Sequence, residues 1–166
     1  MPNAIALYRI ARWFYLKKVP IIPEIFQLFI FVLYGSRVSA KCQIGKGSMF
    51  AYKGMGVLLH DRTVIGEMCN IGVGCKTAGK GPYREVPRIG SRVYLGPNSI
   101  LIGPIIVGDN AIIGANSVVT KSVPEGAIVG GIPAKIIGWV KDNDYDIHDN
   151  RSDVEGTAPF LQDLRG

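Results

Sequence analysis

From Ile89 onward an aliphatic residue returns at every sixth position, as Ile89, Leu95, Leu101, Val107, Ile113 and Val119, and glycine follows four of the six. The same beat runs through Leu59, Ile65, Ile71 and Thr77, and through Val38, Ile44 and Phe50, with three residues out of step between Phe50 and Leu59. A period of six matches neither the helix period of 3.6 nor the alternation of a single strand. It predicts a short strand and a turn, repeated so that three such units close one triangular coil with the aliphatic side chains filling the shaft. The residue two before each aliphatic then also points inward, where the corner is narrow, and it has to be small. That position reads Cys42, Thr63, Cys69, Cys75, Val93, Ser99, Ala111 and Ser117, with Ile105 as the bulky exception. All three cysteines fall on it, so they are read as buried hydrophobes rather than as catalytic or metal-binding thiols.

The pattern divides the chain into a helical cap over 1–36, a β-helix over 37–140 and a tail over 141–166. Residues 3–18 predict an amphipathic helix with Arg9, Arg12, Lys17 and Lys18 on its wet side; Pro20 and Pro23 break it, and 24–34 form a second, apolar helix ending near Gly35. The helices are read as a cover for the open strand edges of the coil, with attachment to a membrane surface as the alternative. Glycines and prolines over 79–88 predict a loop leaving the coil. The tail is acidic and polar.

Composition supports this and narrows the function. Twenty-one glycines in 166 residues disfavour a helical protein, and 48% hydrophobic residues are enough for a core. The net +6 is uneven: residues 1–140 hold 16 basic against 6 acidic residues, and residues 141–166 hold 3 against 7. A basic body without a Lys/Arg cluster is a poor nucleic-acid reader but suits a small polyanion. Three cysteines without a CxxC pair, and no signal-like segment, point to the cytoplasm. Asp142, Asp144, Asp146 and Asp153 copy the spacing of a calcium loop, but Ile147 stands where that loop needs glycine, and no metal is expected.

The run Ile112-Ile113-Gly114-Ala115-Asn116-Ser117-Val118-Val119-Thr120-Lys121-Ser122-Val123-Pro124, followed by Gly131-Ile132-Pro133-Ala134-Lys135-Ile136-Ile137-Gly138, resembles the last coil and exit of the hexapeptide-repeat acyltransferases. Leu7–Trp13 is similar to the helical lead-in of their serine acetyltransferase-like branch, which includes sugar and polysaccharide O-acetyltransferases. The resemblance implies a mainly β fold, a left-handed parallel β-helix of hexapeptide repeats with an N-terminal α-helical cap. It also implies a homotrimer using acetyl-CoA.

Two histidines exist, and His148 lies among the aspartates of the tail, which leaves His60 as the candidate general base. His60-Asp61-Arg62-Thr63-Val64-Ile65-Gly66 is similar to the histidine-acid motif of related sugar N-acetyltransferases, and Asp61 is a candidate to orient the ring. Stepping one coil at a time from His60 predicts a column of small residues, Ala78, Gly96 and Gly114. An N–H near Ala78 or Gly79 would hold the thioester oxygen as it gains charge. The resemblance implies that pantetheine runs along the column toward Ala115, with Lys121 and Lys135 on the phosphate and adenine end. Tyr52, Lys53, Tyr83, Arg84 and Glu85 are candidates to bind the acceptor or to touch a neighbouring subunit.

The serine acetyltransferases proper have an Asp-His pair where Tyr52-Lys53 stands and a His-Pro where Val86-Pro87 stands. This favours a sugar or polysaccharide hydroxyl as acceptor, with serine O-acetylation or sugar N-acetylation as alternatives. A zinc carbonic anhydrase on the same fold would need three histidines. A non-catalytic scaffold or binding module is the third class.

Overall fold

The computed structural model describes residues 2–142; the tail from 143 on, with His148, Asp144, Asp146 and Asp153, lies outside the described residues. Two helices come first, α1 Ala4–Leu16 and α2 Ile22–Tyr34. The Asn3 side chain caps α1 by accepting the Ile5 N–H, and Gly35 ends α2 in the left-handed region.

The coils follow. Strands β1 Arg37–Val38, β2 Gln43–Ile44 and β3 Met49–Phe50 make the first; β4 Leu58–Leu59, β5 Val64–Ile65 and β6 Asn70–Ile71 make the second. Strands β7 Lys76–Ala78, β8 Arg88–Ile89 and β9 Tyr94–Leu95 form the third, and β10 Ile100–Ile102, β11 Ile106–Val107 and β12 Ile112–Ile113 the fourth. A last strand, β13 Val118–Val119, precedes the exit hairpin of β14 Ala127–Gly131 and β15 Ala134–Trp139.

Equivalent strands stack into three parallel faces: β1-β4-β7-β10-β13, β2-β5-β8-β11, and β3-β6-β9-β12-β14, where β15 adds antiparallel to β14. The architecture is the left-handed parallel β-helix. The six-step aliphatics from Ile89 to Val119 are all buried, as are Leu59, Ile65 and Ile71, and the small position holds Cys42, Cys69, Cys75, Ser99 and Ser117 at 0–1% exposure. Most strands thus bury one large and one small side chain, and the stack closes as a single core.

Two of the three corners are packed backbone on backbone. Between the second and third faces stand Gly45, Gly66, Gly90 and Gly108; a Cβ on Gly66 would lie 2.6 Å from the Gly90 carbonyl carbon of the next coil. Between the third and first faces stand Gly72, Gly96 and Gly114, where a Cβ on Gly96 would meet the Ile113 carbonyl oxygen and the Ala115 nitrogen at 2.6 Å. No side chain fits there, and that is why glycine recurs.

Helix α1 covers the open end of the coil. Tyr8 is buried; its hydroxyl donates to the Cys42 carbonyl at 2.8 Å and accepts the Ile44 N–H at 3.2 Å. Arg12 Nη1 donates to the Cys42 carbonyl at 2.6 Å and to the Ala40 carbonyl at 3.0 Å, and Arg9 Nη2 to the Ser48 carbonyl at 3.2 Å. This corrects the wet-side reading of Arg12, which is half-buried, whereas Arg9 stays exposed while reaching its carbonyl. The exposed carbonyls of the first coil need donors, and the guanidinium groups supply them.

Candidate functional site

The corner between the first and second faces differs from the other two, because no glycine column stacks there. His60 directly follows β4, and Leu58, Leu59, His60, Asp61, Arg37, Thr77, Ala78 and Gly79 line a pocket of about 400 Å³. The His60 backbone N–H donates to Oγ1 of Thr77 at 2.9 Å, and that hydroxyl shares a second bond of 2.7 Å with Oγ1 of Thr63. Thr77 occupies the inward position that is aliphatic in most coils, so a polar pair sits in the shaft behind the histidine.

The imidazole itself is half-buried, and its Nδ1 accepts the Arg62 N–H at 3.2 Å. Asp61 points elsewhere: its Oδ1 lies 3.9 Å from Nη2 of the exposed Arg37. Among the described residues no hydrogen bond joins Asp61 to the His60 ring, which corrects the expected orienting contact. Successive strand residues point to opposite sides, and the turn after His60 does not bring the carboxylate back.

The predicted column also changes. Strand register pairs Leu58 with Lys76, Ala78 with Ile102, and Leu101 with Val119, so the residues stacked on His60 are Ala78, Ile102 and Thr120. Gly96 and Gly114, with Ala115 beside them, stand on the neighbouring corner, above Gly72. The loop after Ala78 is the cause. Thr77 and Leu101 are paired one coil apart yet 24 residues separate them, so the loop adds six residues. An insertion of six preserves the six-step beat while moving every later residue by one face. Ile102 and Thr120 are therefore missed by stepping along the sequence, although the length of that interval carries the signal.

Three coils at ~4.8 Å each put Thr120 about 14 Å along the corner from His60. There a second pocket, of about 420 Å³, is lined by Thr120, Lys121, Ser122, Pro133, Ala134 and Lys135. Lys121 and Lys135 therefore meet at the far end of the His60 corner, one from the coil and one from the exit hairpin. The corner fits an elongated ligand with an anionic end, since one pocket holds a titratable base and the other two ammonium groups.

The acceptor candidates divide. The loop carrying Tyr83, Arg84 and Glu85, all exposed, leaves the pocket wall at Gly79 and is pinned by the buried Val86. Tyr52 and Lys53 sit in the turn 51–54 at the corner between the third and first faces, both in the left-handed region with φ of 47° and 62°. Within one chain the structure does not bring them into the His60 pocket.

The cysteines are buried, with their thiols against backbone carbonyls such as Cys42 Sγ to His60 O at 3.1 Å. Burial pushes the Cys42 thiol up to about 12, helped by the charge of Asp61, and also raises Cys69 and Cys75. Such thiols are poor nucleophiles. Among the described residues no group of three His, Cys, Asp or Glu side chains is placed to hold a metal.

Comparison with known proteins finds the same coiled solenoid. The model of the bacterial transferase hexapeptide, six repeats, matches residues 87–121. A serine acetyltransferase of Synechococcus elongatus is 32% identical over 81% of this chain and 56% of its own length. One from Helicobacter pylori is 31% identical over 81% of this chain and 80% of its own length. The structure of the Brucella abortus serine acetyltransferase in complex with coenzyme A superimposes with a TM-score of 0.77 at 28% identity, over 82% of this chain and 55% of that one. The chain belongs to the hexapeptide-repeat transferase family, in its serine acetyltransferase-like branch. It spans little more than half the length of the Synechococcus and Brucella proteins.

Proposed function

We propose that this chain transfers an acetyl group from acetyl-CoA to a hydroxyl, with His60 as the general base. The observation that carries the proposal is that two pockets lie on one corner of the coil, one at His60 and the other at Lys121 and Lys135. Acetyl-CoA supplies an activated thioester. Lys121 and Lys135 hold its phosphates, and the arm lies over Thr120, Ile102 and Ala78, so the thioester ends beside His60. An N–H at the Ala78–Gly79 turn receives the charge that develops on the carbonyl oxygen.

The imidazole takes the proton of the attacking hydroxyl as the new C–O bond forms. It returns that proton to the sulfur when the C–S bond breaks, leaving an ester and free coenzyme A. A neutral imidazole offers one lone pair at a time. Here it is at Nδ1, in a long contact with Arg62, so the acceptor displaces that contact or meets Nε2 after the ring exchanges its proton.

The acceptor named in the relatives is serine, which supports a small hydroxy amino acid ahead of the sugar hydroxyl favoured by sequence. Those names give no support to polysaccharide synthesis. One observation keeps the sugar reading as second: Tyr52-Lys53 and Val86-Pro87 stand where the resemblance implies histidines in the serine enzymes. We infer a homotrimer as the resemblance implies; Tyr52 and Lys53 do not line the His60 pocket of their own chain, and a role in acceptor binding would require a neighbouring subunit.

The test offers acetyl-CoA with serine or with a panel of free and nucleotide-linked sugars, and follows released thiol. Release with serine alone supports the first reading and release with sugars alone the second; release with neither overturns acetyl transfer to these classes. His60→Ala should lower turnover at least about 10²-fold while coenzyme A still binds, and unchanged turnover removes His60 as base.

A further inference from the structure

The N-terminal helices leave a large apolar surface that nothing in the catalytic reading uses. On α2, Ile25, Leu28, Phe29, Phe31, Val32 and Leu33 are each between 45% and 69% exposed, while Ile30 and Tyr34 face the protein. Helix α1 adds Ile10, Trp13 and Leu16, spaced three apart and also exposed. The helices meet through Phe14 and Phe26, whose rings stack at 6.5 Å. Contiguous apolar surface on this scale marks an interaction site.

We propose that this hairpin docks the protein onto the surface of a membrane rich in anionic lipid. Three features favour lipid over a second protein surface. First, the exposed residues of α2 are apolar on several sides of the helix, where a protein interface would show a polar rim around an apolar centre. Second, residues 1–36 carry four basic residues and one acid, Glu24. Arg9 and Arg12 are spent on backbone carbonyls, but Lys17 and Lys18 are exposed in the turn between the helices, with Lys17 Nζ 5.9 Å from the Trp13 ring. A Trp, a Tyr and two lysines bordering an apolar helix match the headgroup boundary, where an aromatic ring and a cation both find partners. Third, the geometry permits lying but not spanning: thirteen residues of α2 cover ~20 Å, against the ~30 Å of a hydrocarbon core. Among the described residues no helix is long and apolar enough to cross a membrane. The inference does not depend on which acceptor the enzyme uses.

The experiment is flotation of the purified full chain with vesicles of phosphatidylcholine alone and of three parts phosphatidylcholine to one part phosphatidylglycerol, with a lipid-free control. The protein should float with the mixed vesicles. Lys17→Gln/Lys18→Gln should lower that binding at least about tenfold, as should high salt. Leu28→Ser/Val32→Ser should abolish it while the circular dichroism and melting temperature stay at the parent values, both residues being exposed. The proposal is overturned if the parent stays at the bottom with mixed vesicles, or if Leu28→Ser/Val32→Ser floats like the parent. It is equally overturned if that variant dissociates an assembly, read by sedimentation, whose parent form binds no vesicles; the face then belongs to a second copy.

Discussion

The backbone N–H of His60 donates to the hydroxyl of Thr77, one coil further along, across 2.9 Å. That bond fixes the corner carrying the imidazole to the floor of its own pocket. Because the acceptor is a side chain inside the shaft, the position of the histidine depends on a residue that an aliphatic pattern would replace without any loss of shape.

Thr77→Val is the direct check. It keeps the volume but removes the acceptor for His60 and the partner of Thr63, so stability should fall by about 1–3 kcal/mol. Turnover should drop while the affinity for coenzyme A is kept, and Thr77→Ser should restore much of both. Urea unfolding and steady-state kinetics give the two readouts; a fall in stability with unchanged turnover would reduce Thr77 to a structural role.

The corrected column separates residues that share one corner from those on another. Gly96→Ala places a Cβ 2.6 Å from two backbone atoms, so it should lower the melting temperature sharply. Lys121→Ala and Lys135→Ala touch no packed backbone. Each should raise the KM for acetyl-CoA about tenfold with the melting temperature unchanged, and the effect should shrink at high salt. If Gly96→Ala melts like the parent, the backbone-packing account of that corner fails.

Alkali should unfold the protein through its buried acids. Burial raises the Tyr8 hydroxyl and the Cys42 thiol to about 12, from ordinary values of 10.0 and 9.0. Between those limits the native state keeps protons that the unfolded chain releases, so stability falls as pH rises; below pH 9 this contribution is fully present. Urea midpoints at pH 8, 10 and 11 should decline in that order, with a shallower decline in Tyr8→Phe. The native thiols should also stay silent to a thiol reagent at pH 8 and react once urea unfolds the chain. A flat midpoint up to pH 11 would contradict the assigned burial.

Sequence periodicity determined the solenoid, because a six-step aliphatic beat with a small residue two positions earlier has one compact solution. The count of histidines isolated His60, and the resemblance to the hexapeptide-repeat family implied Lys121 and Lys135, the lysines that share the second pocket. Only the tertiary structure decided which residues stack on the histidine. The loop after Ala78 inserts one more beat, so counting stayed in phase while the chain moved on by one face, and Ile102 and Thr120 replaced Gly96 and Gly114. The structure also turned Asp61 toward Arg37 and bound Arg9 and Arg12 to the first coil's carbonyls. Those outcomes depend on which backbone groups lack partners at the coil's edge and corner, and spacing along a chain does not record that.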